Sequence, residues 1–107
     1  MKKLLAAVLL VPSMANAEFL TGNKLLEHMI DKEIMSRMFA LGYVAGVSDA
    51  HQGVISCPPP NVTNGQVNDV IKSYLETNPS QRHRSADVLI YEALKRVWPC
   101  APKGTRS

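Results

Sequence analysis

Four stretches of the chain place apolar residues at steps of three and four, the spacing that gathers side chains on one face of an α-helix. The first is Leu25, Leu26, Met29 and Ile30, behind a helix start at Thr21-Gly22-Asn23. The second is the longest. Ile34, Met35, Met38 and Phe39 lead into Leu41-Gly42-Tyr43-Val44-Ala45-Gly46-Val47-Ser48-Asp49-Ala50, and the pattern predicts one helix over residues 32–51. Val67, Val70, Ile71, Tyr74 and Leu75 form the third stripe. Ala86, Leu89, Ile90, Ala93, Leu94 and Val97 form the fourth, on a helix over residues 85–97. There is no strand-period alternation and no internal repeat. The predicted fold class is all-α, a small bundle of about four helices.

The second stripe is the spine against which the other helices are expected to pack. Within it Gly42 and Gly46 lie one above the other on a helix. Glycine inside a helix costs roughly 0.5–1 kcal/mol against alanine. A pair on one stripe therefore predicts a neighbouring helix whose backbone comes close; a loop or strand broken by glycine is the alternative. Asp31 is the expected cap of this helix, Glu33 lies near the positive end of its dipole, and Gly53 is its left-handed stop. Pro58-Pro59-Pro60 then forms an extended link. Thr63 and Gln66 fit a capping box, flanked by Val62 and Val67 at the spacing of a hydrophobic staple. Asn78-Pro79 ends the third helix. In the fourth, Asp87 in the first turn and Lys95 and Arg96 in the last agree with the helix dipole.

The start of the chain changes how its length and charge are read. Lys2 and Lys3, the apolar run from Leu4 to Val11 and the small-residue site Ala15-Asn16-Ala17 have the layout of a secretory signal peptide over residues 1–17. The run is too short to cross a bilayer, which takes about 20 residues, so no stable membrane anchor is expected after cleavage. Residues 18–107 are then one small domain, with 101–107 a frayed tail. The 12 Lys+Arg against 9 Asp+Glu include Lys2 and Lys3, so the exported chain is close to neutral. With aromatic residues at 6%, there is no stacking platform, and nucleic acid is not expected as a partner. Cys57 and Cys100 are the only cysteines, and in an exported chain an even count predicts a disulfide, with two separate thiols the alternative. Closing a loop of this length contributes about 4 kcal/mol in the chain-entropy description. The expected location is the oxidising periplasm.

Candidate chemistry is sparse. His28, His51 and His83 have no second ligand at metal spacing in their own segments, so neither a metal nor any other cofactor is expected. Cysteine–histidine catalysis fails if both cysteines are oxidised, since a disulfide sulfur is no nucleophile. Ser48-Asp49 and Ser85 with Asp87 lack a nucleophile elbow, and nothing brings Glu76 to Glu92. Thr63 in the sequon Asn61-Val62-Thr63 is better explained as a cap. No catalytic residue is assigned, and an enzyme is not expected.

Three groups of residues together resemble the Tai/Rap family of immunity proteins of bacterial type VI secretion. The first is Thr21-Gly22-Asn23-Lys24-Leu25-Leu26. The second is Gly42-Tyr43-Val44-Ala45-Gly46-Val47-Ser48-Asp49-Ala50 with Cys57-Pro58. The third is Val62-Thr63, Gln66, Tyr74-Leu75, Asn78-Pro79, His83, Ser85-Ala86, Ala93-Leu94 and Trp98-Pro99-Cys100. The resemblance covers nearly all of residues 19–100. It implies a small helical periplasmic protein with a disulfide that binds and blocks a peptidoglycan amidase effector, the amidase carrying the cysteine–histidine chemistry. Many family members have further cysteines around the first helix and the start of the spine, where this chain has Met29 and Phe39-Ala40.

Two functional readings follow. One is an inhibitor that docks on a toxin, which a neighbouring gene for a small secreted cysteine peptidase would favour. The other is a general periplasmic binding or chaperone-like helical protein, which client binding without one preferred partner would favour. A homodimer is compatible with either. The segments left free of the core are the link 58–61 and the polar loop 78–84. The loop residues Gln81, Arg82, His83 and Arg84 are the candidate partner-binding group, prestiffened by Pro79, with a plain solvated connection the alternative. In the family this chain resembles, a loop between the later helices can enter the amidase cleft.

Overall fold

The computed structural model describes residues 19–102; the expected signal peptide and the end of the tail lie outside the described residues. Among the described residues are four helices: α1 (Gly22–Met29), α2 (Ile34–His51), α3 (Asn64–Thr77) and α4 (Ala86–Val97), with a 3₁₀ turn at Pro79–Gln81 between the last two. The described residues form no strand, only isolated bridges.

Local chemistry explains each start. Thr21 Oγ1 accepts from the Lys24 amide at 3.2 Å and caps α1. Thr63 and Gln66 make the full capping box of α3, with both reciprocal bonds at 3.1 Å. α2 starts differently from expectation. Its N-cap is Glu33, without a side-chain cap, while the Asp31 carboxylate accepts from the Glu33 amide at 3.0 Å. Asp31 therefore organises the turn before the helix, and that hydrogen bond lowers its pKa. Arg37 then clamps the same turn by donating to the carbonyls of Asp31 and Lys32. Gly53 has φ 85°, the left-handed conformation expected just past α2.

The core is assembled from inward stripes: Leu25 and Met29 of α1, Ala40 and Val44 of α2, Val67, Ile71 and Leu75 of α3, and Ala86, Leu89, Ile90, Ala93 and Leu94 of α4. Each of the four helices packs against the other three, so the spine role expected of α2 is shared. The inward face of α2 is Ala40, Val44 and Ser48. Ile34, Met35, Met38 and Phe39, expected to extend the packed spine, are exposed by 59%, 74%, 54% and 48%. The glycine expectation is also corrected. Nothing lies within 4 Å of where a Cβ would stand on Gly42 or Gly46, and both glycines face outward. Close approach occurs at Gly22 instead, where a Cβ would stand 2.5 Å from Leu89 Cδ1 and 3.0 Å from the Arg82 carbonyl oxygen.

The two ends of α4 are tied to distant parts of the chain. At its start, Gly22 N donates to Arg84 O, Asn23 N to Arg82 O and Ala86 N to Leu20 O, all between 2.7 and 2.9 Å. At its end, Cys57 N donates to Trp98 O at 2.8 Å, and the Cys57–Cys100 disulfide closes beside it with Cα atoms 4.8 Å apart. Buried Ser56 pairs with Pro99 at the same junction.

Candidate partner-binding surface

Asn78 leaves α3 with its side-chain amide donating to the Tyr74 carbonyl at 2.9 Å. Pro79–Gln81 then forms the single 3₁₀ turn, closed by Gln81 N donating to Asn78 O and Arg82 N donating to Pro79 O. Arg82 and Arg84 offer their carbonyls to the amides of Asn23 and Gly22, which ties the loop to the first turn of α1.

The four expected contact residues are brought together by this turn, but they are not equally free. The Arg84 guanidinium donates to Gln81 Oε1 at 2.9 Å and to both Glu92 oxygens at 3.1 and 2.8 Å. The Tyr74 hydroxyl also donates to Glu92, at 3.3 Å, and Arg96 lies over the Tyr74 ring, 5.4 Å from its centre. The hydrogen bond from Arg84 lowers the Glu92 pKa, and the same bond raises that of Arg84. Partial burial, followed by the Glu92 charge, raises that of Tyr74. Gln81 and Arg84 thus work inside the protein, and Arg82 is half-buried. His83 is the member of the group that stands exposed.

Next to the loop, α3 and α4 leave an open groove of about 380 Å³, lined by Tyr74, Asn78, Val70, Arg96 and Val97 among others. The 59–61 part of the proline link is exposed as well. The remaining chemical candidates have structural roles. His28 shares a hydrogen bond with Ser36 and packs against Phe39, and His51 bonds the Val47 carbonyl and stacks on Tyr91. Ser85 and Asp87 bond each other at the start of α4. Ser48 is buried while Asp49 is exposed, and Glu76 stands in solvent while Glu92 is occupied by Arg84 and Tyr74. No group of three or more His, Cys, Asp or Glu residues that could hold a metal occurs among the described residues.

The described residues form a disulfide-closed cluster of four helices, with a hydrogen-bonded polar loop beside an open groove. The family model of the Rap1a immunity proteins matches residues 21–100, which contain all four helices and both cysteines, and the chain belongs to that family. No curated protein matches the chain. Membership implies an inhibitor rather than an enzyme, with a protein effector as its partner. The disulfide fits an oxidising compartment.

Proposed function

We propose that this immunity protein acts in the periplasm and blocks a peptidoglycan-cleaving amidase delivered by a type VI secretion system. The family match over residues 21–100 carries this reading. Three features support it. The N-terminal sequence has the layout of a signal peptide. The single disulfide is of the kind an exported domain retains. The loop of Gln81, Arg82, His83 and Arg84 is hydrogen-bonded to α1 and within itself, which reduces the ordering entropy to be lost when it meets a cleft. Inhibition then consists of occlusion, with the loop covering the effector's active site and no bond made or broken by the immunity protein.

The test is direct. The effector encoded beside this gene, purified, should hydrolyse peptidoglycan, and an equimolar amount of the immunity protein should abolish that hydrolysis. Cells exporting the protein should survive periplasmic effector, and cells making it without residues 1–17 should not. Undiminished hydrolysis in the presence of a bound complex would separate binding from inhibition and overturn occlusion.

A further inference from the structure

Asn64 and Gly65, the first two residues of α3, are the one asparagine–glycine step in the chain, and both are exposed. Asparagine is a chemically labile side chain, and the residue after it governs how easily the backbone reaches it. The other asparagines are followed by Ala17, Lys24, Val62, Asp69 and Pro79, all bulkier than glycine, and Pro79 has no N–H to give. Among the described residues no hydrogen bond is made to the Asn64 side chain. The Gly65 amide is one of those that a helix start leaves without an intrahelical acceptor, and no other acceptor takes it. Electrophile and nucleophile therefore sit side by side, both unengaged.

We infer that Asn64 is a self-modifying site, converted through a cyclic imide to aspartate and isoaspartate at a pace set by the capping box of Thr63 and Gln66. The Gly65 nitrogen, giving up its proton, bonds to Asn64 Cγ; the Cγ–Nδ2 bond breaks and ammonia leaves. Water then opens the imide. Cleavage of the N–Cγ bond gives aspartate, and cleavage of the bond to the main-chain carbonyl gives isoaspartate. Ring closure brings Cβ and the Gly65 nitrogen to one side of the Asn64 Cα–C bond, which the helical ψ does not do. The first turn of α3 must therefore open first, and the reciprocal bonds of Thr63 and Gln66, both 3.1 Å, hold it shut. Each product acts back on that turn. Aspartate sets a negative charge at the positive end of the helix dipole, whereas isoaspartate inserts a methylene into the backbone between the two members of the box. Neither enzyme nor cofactor is needed, so the change accumulates with the age of the molecule.

The purified protein, disulfide intact, is aged at mildly alkaline pH and followed by peptide mapping with mass spectrometry, isoaspartate being read by enzymatic methyl labelling. Acid should appear at Asn64 ahead of Asn61, Asn68 and Asn78, split between aspartate and isoaspartate, and Gly65→Ala should slow it. Thr63→Ala removes one bond of the box and should speed the conversion about fivefold, the factor expected from an ordinary N-cap loss, with the overall helical circular dichroism retained. Gln66→Ala, which leaves the Thr63 cap in place, should speed it less. Acid appearing at Asn64 no sooner than at Asn61, Asn68 and Asn78 overturns the proposal. A conversion indifferent to both Thr63→Ala and Gln66→Ala overturns the control by the capping box.

Discussion

Gly22 opens α1 directly against Leu89 of α4: a Cβ on the glycine would stand 2.5 Å from Leu89 Cδ1. Leu89 is fully buried and the Arg82 carbonyl closes the other side at 3.0 Å, so neither neighbour can retreat cheaply. Gly22→Ala should therefore destabilise the protein by about 1–3 kcal/mol through overpacking. Denaturant titration measures it, and an unchanged midpoint would mean that the α1–α4 junction has slack.

Gly42 and Gly46 should behave in the opposite way. With open space over both, Gly42→Ala and Gly46→Ala should each stabilise the single chain by about 0.5–1 kcal/mol through helix propensity. Gly46→Leu should still fold. Thermal melts in dilute solution compare the three variants with the parent chain, and a destabilised Gly46→Ala would show that the helix is packed there after all.

The Cys57–Cys100 bridge ties the segment after α2 to the end of α4. Cys100→Ser should cost about 2–5 kcal/mol, and chemical reduction of the parent chain should lower its melting temperature similarly. Peptide mapping without reductant should recover the linked pair. A reduced protein that melts where the oxidised one does would show the bridge to be dispensable.

Glu92 gives the fold a dependence on acid. Bonding from Arg84 holds its folded pKa below the ordinary 4.5, so between the two values the unfolded chain binds more protons and acid favours unfolding. The contribution is complete above the ordinary value and is lost as pH falls through the depressed one. Glu92→Gln should lower the melting temperature near neutrality, and the difference should vanish in strong acid. A difference constant across the titration would mark Glu92 as a packing residue.

Features fixed within a few residues were legible in the sequence, and those requiring the chain to return were not. The capping box at Thr63 and Gln66 depends on one turn and formed as expected. The inward stripes of α3 and α4 follow because mostly polar residues occupy their other faces, although Val97, expected in the α4 stripe, is exposed, as is Val88. In α2 apolar residues occupy both faces, so hydropathy alone could not tell inside from outside, and the inner face even contains Ser48. The close approach at Gly22 arises only because residues 82–84 come back against α1, which no local pattern encodes. For the same reason the loop was found but its internal bond was not: Glu92 lies two turns into α4 from Arg84.

That internal bond changes how the loop is tested. Replacing Gln81, Arg82, His83 and Arg84 together would also remove the link to Glu92 and so confuse folding with binding. His83 is exposed, and its side chain has no such role in the turn. His83→Ala should leave the melting temperature unchanged and weaken binding of the neighbouring gene's effector about tenfold, some 1.4 kcal/mol. Arg84→Ala should lower stability as well as affinity, because it frees the turn and leaves Glu92 without its cation. Calorimetry of both variants with the same effector separates the two effects. If folded His83→Ala binds as tightly as the parent chain, contact lies elsewhere. The adjoining α3–α4 groove is then the next surface to probe, by Arg96→Ala at its edge.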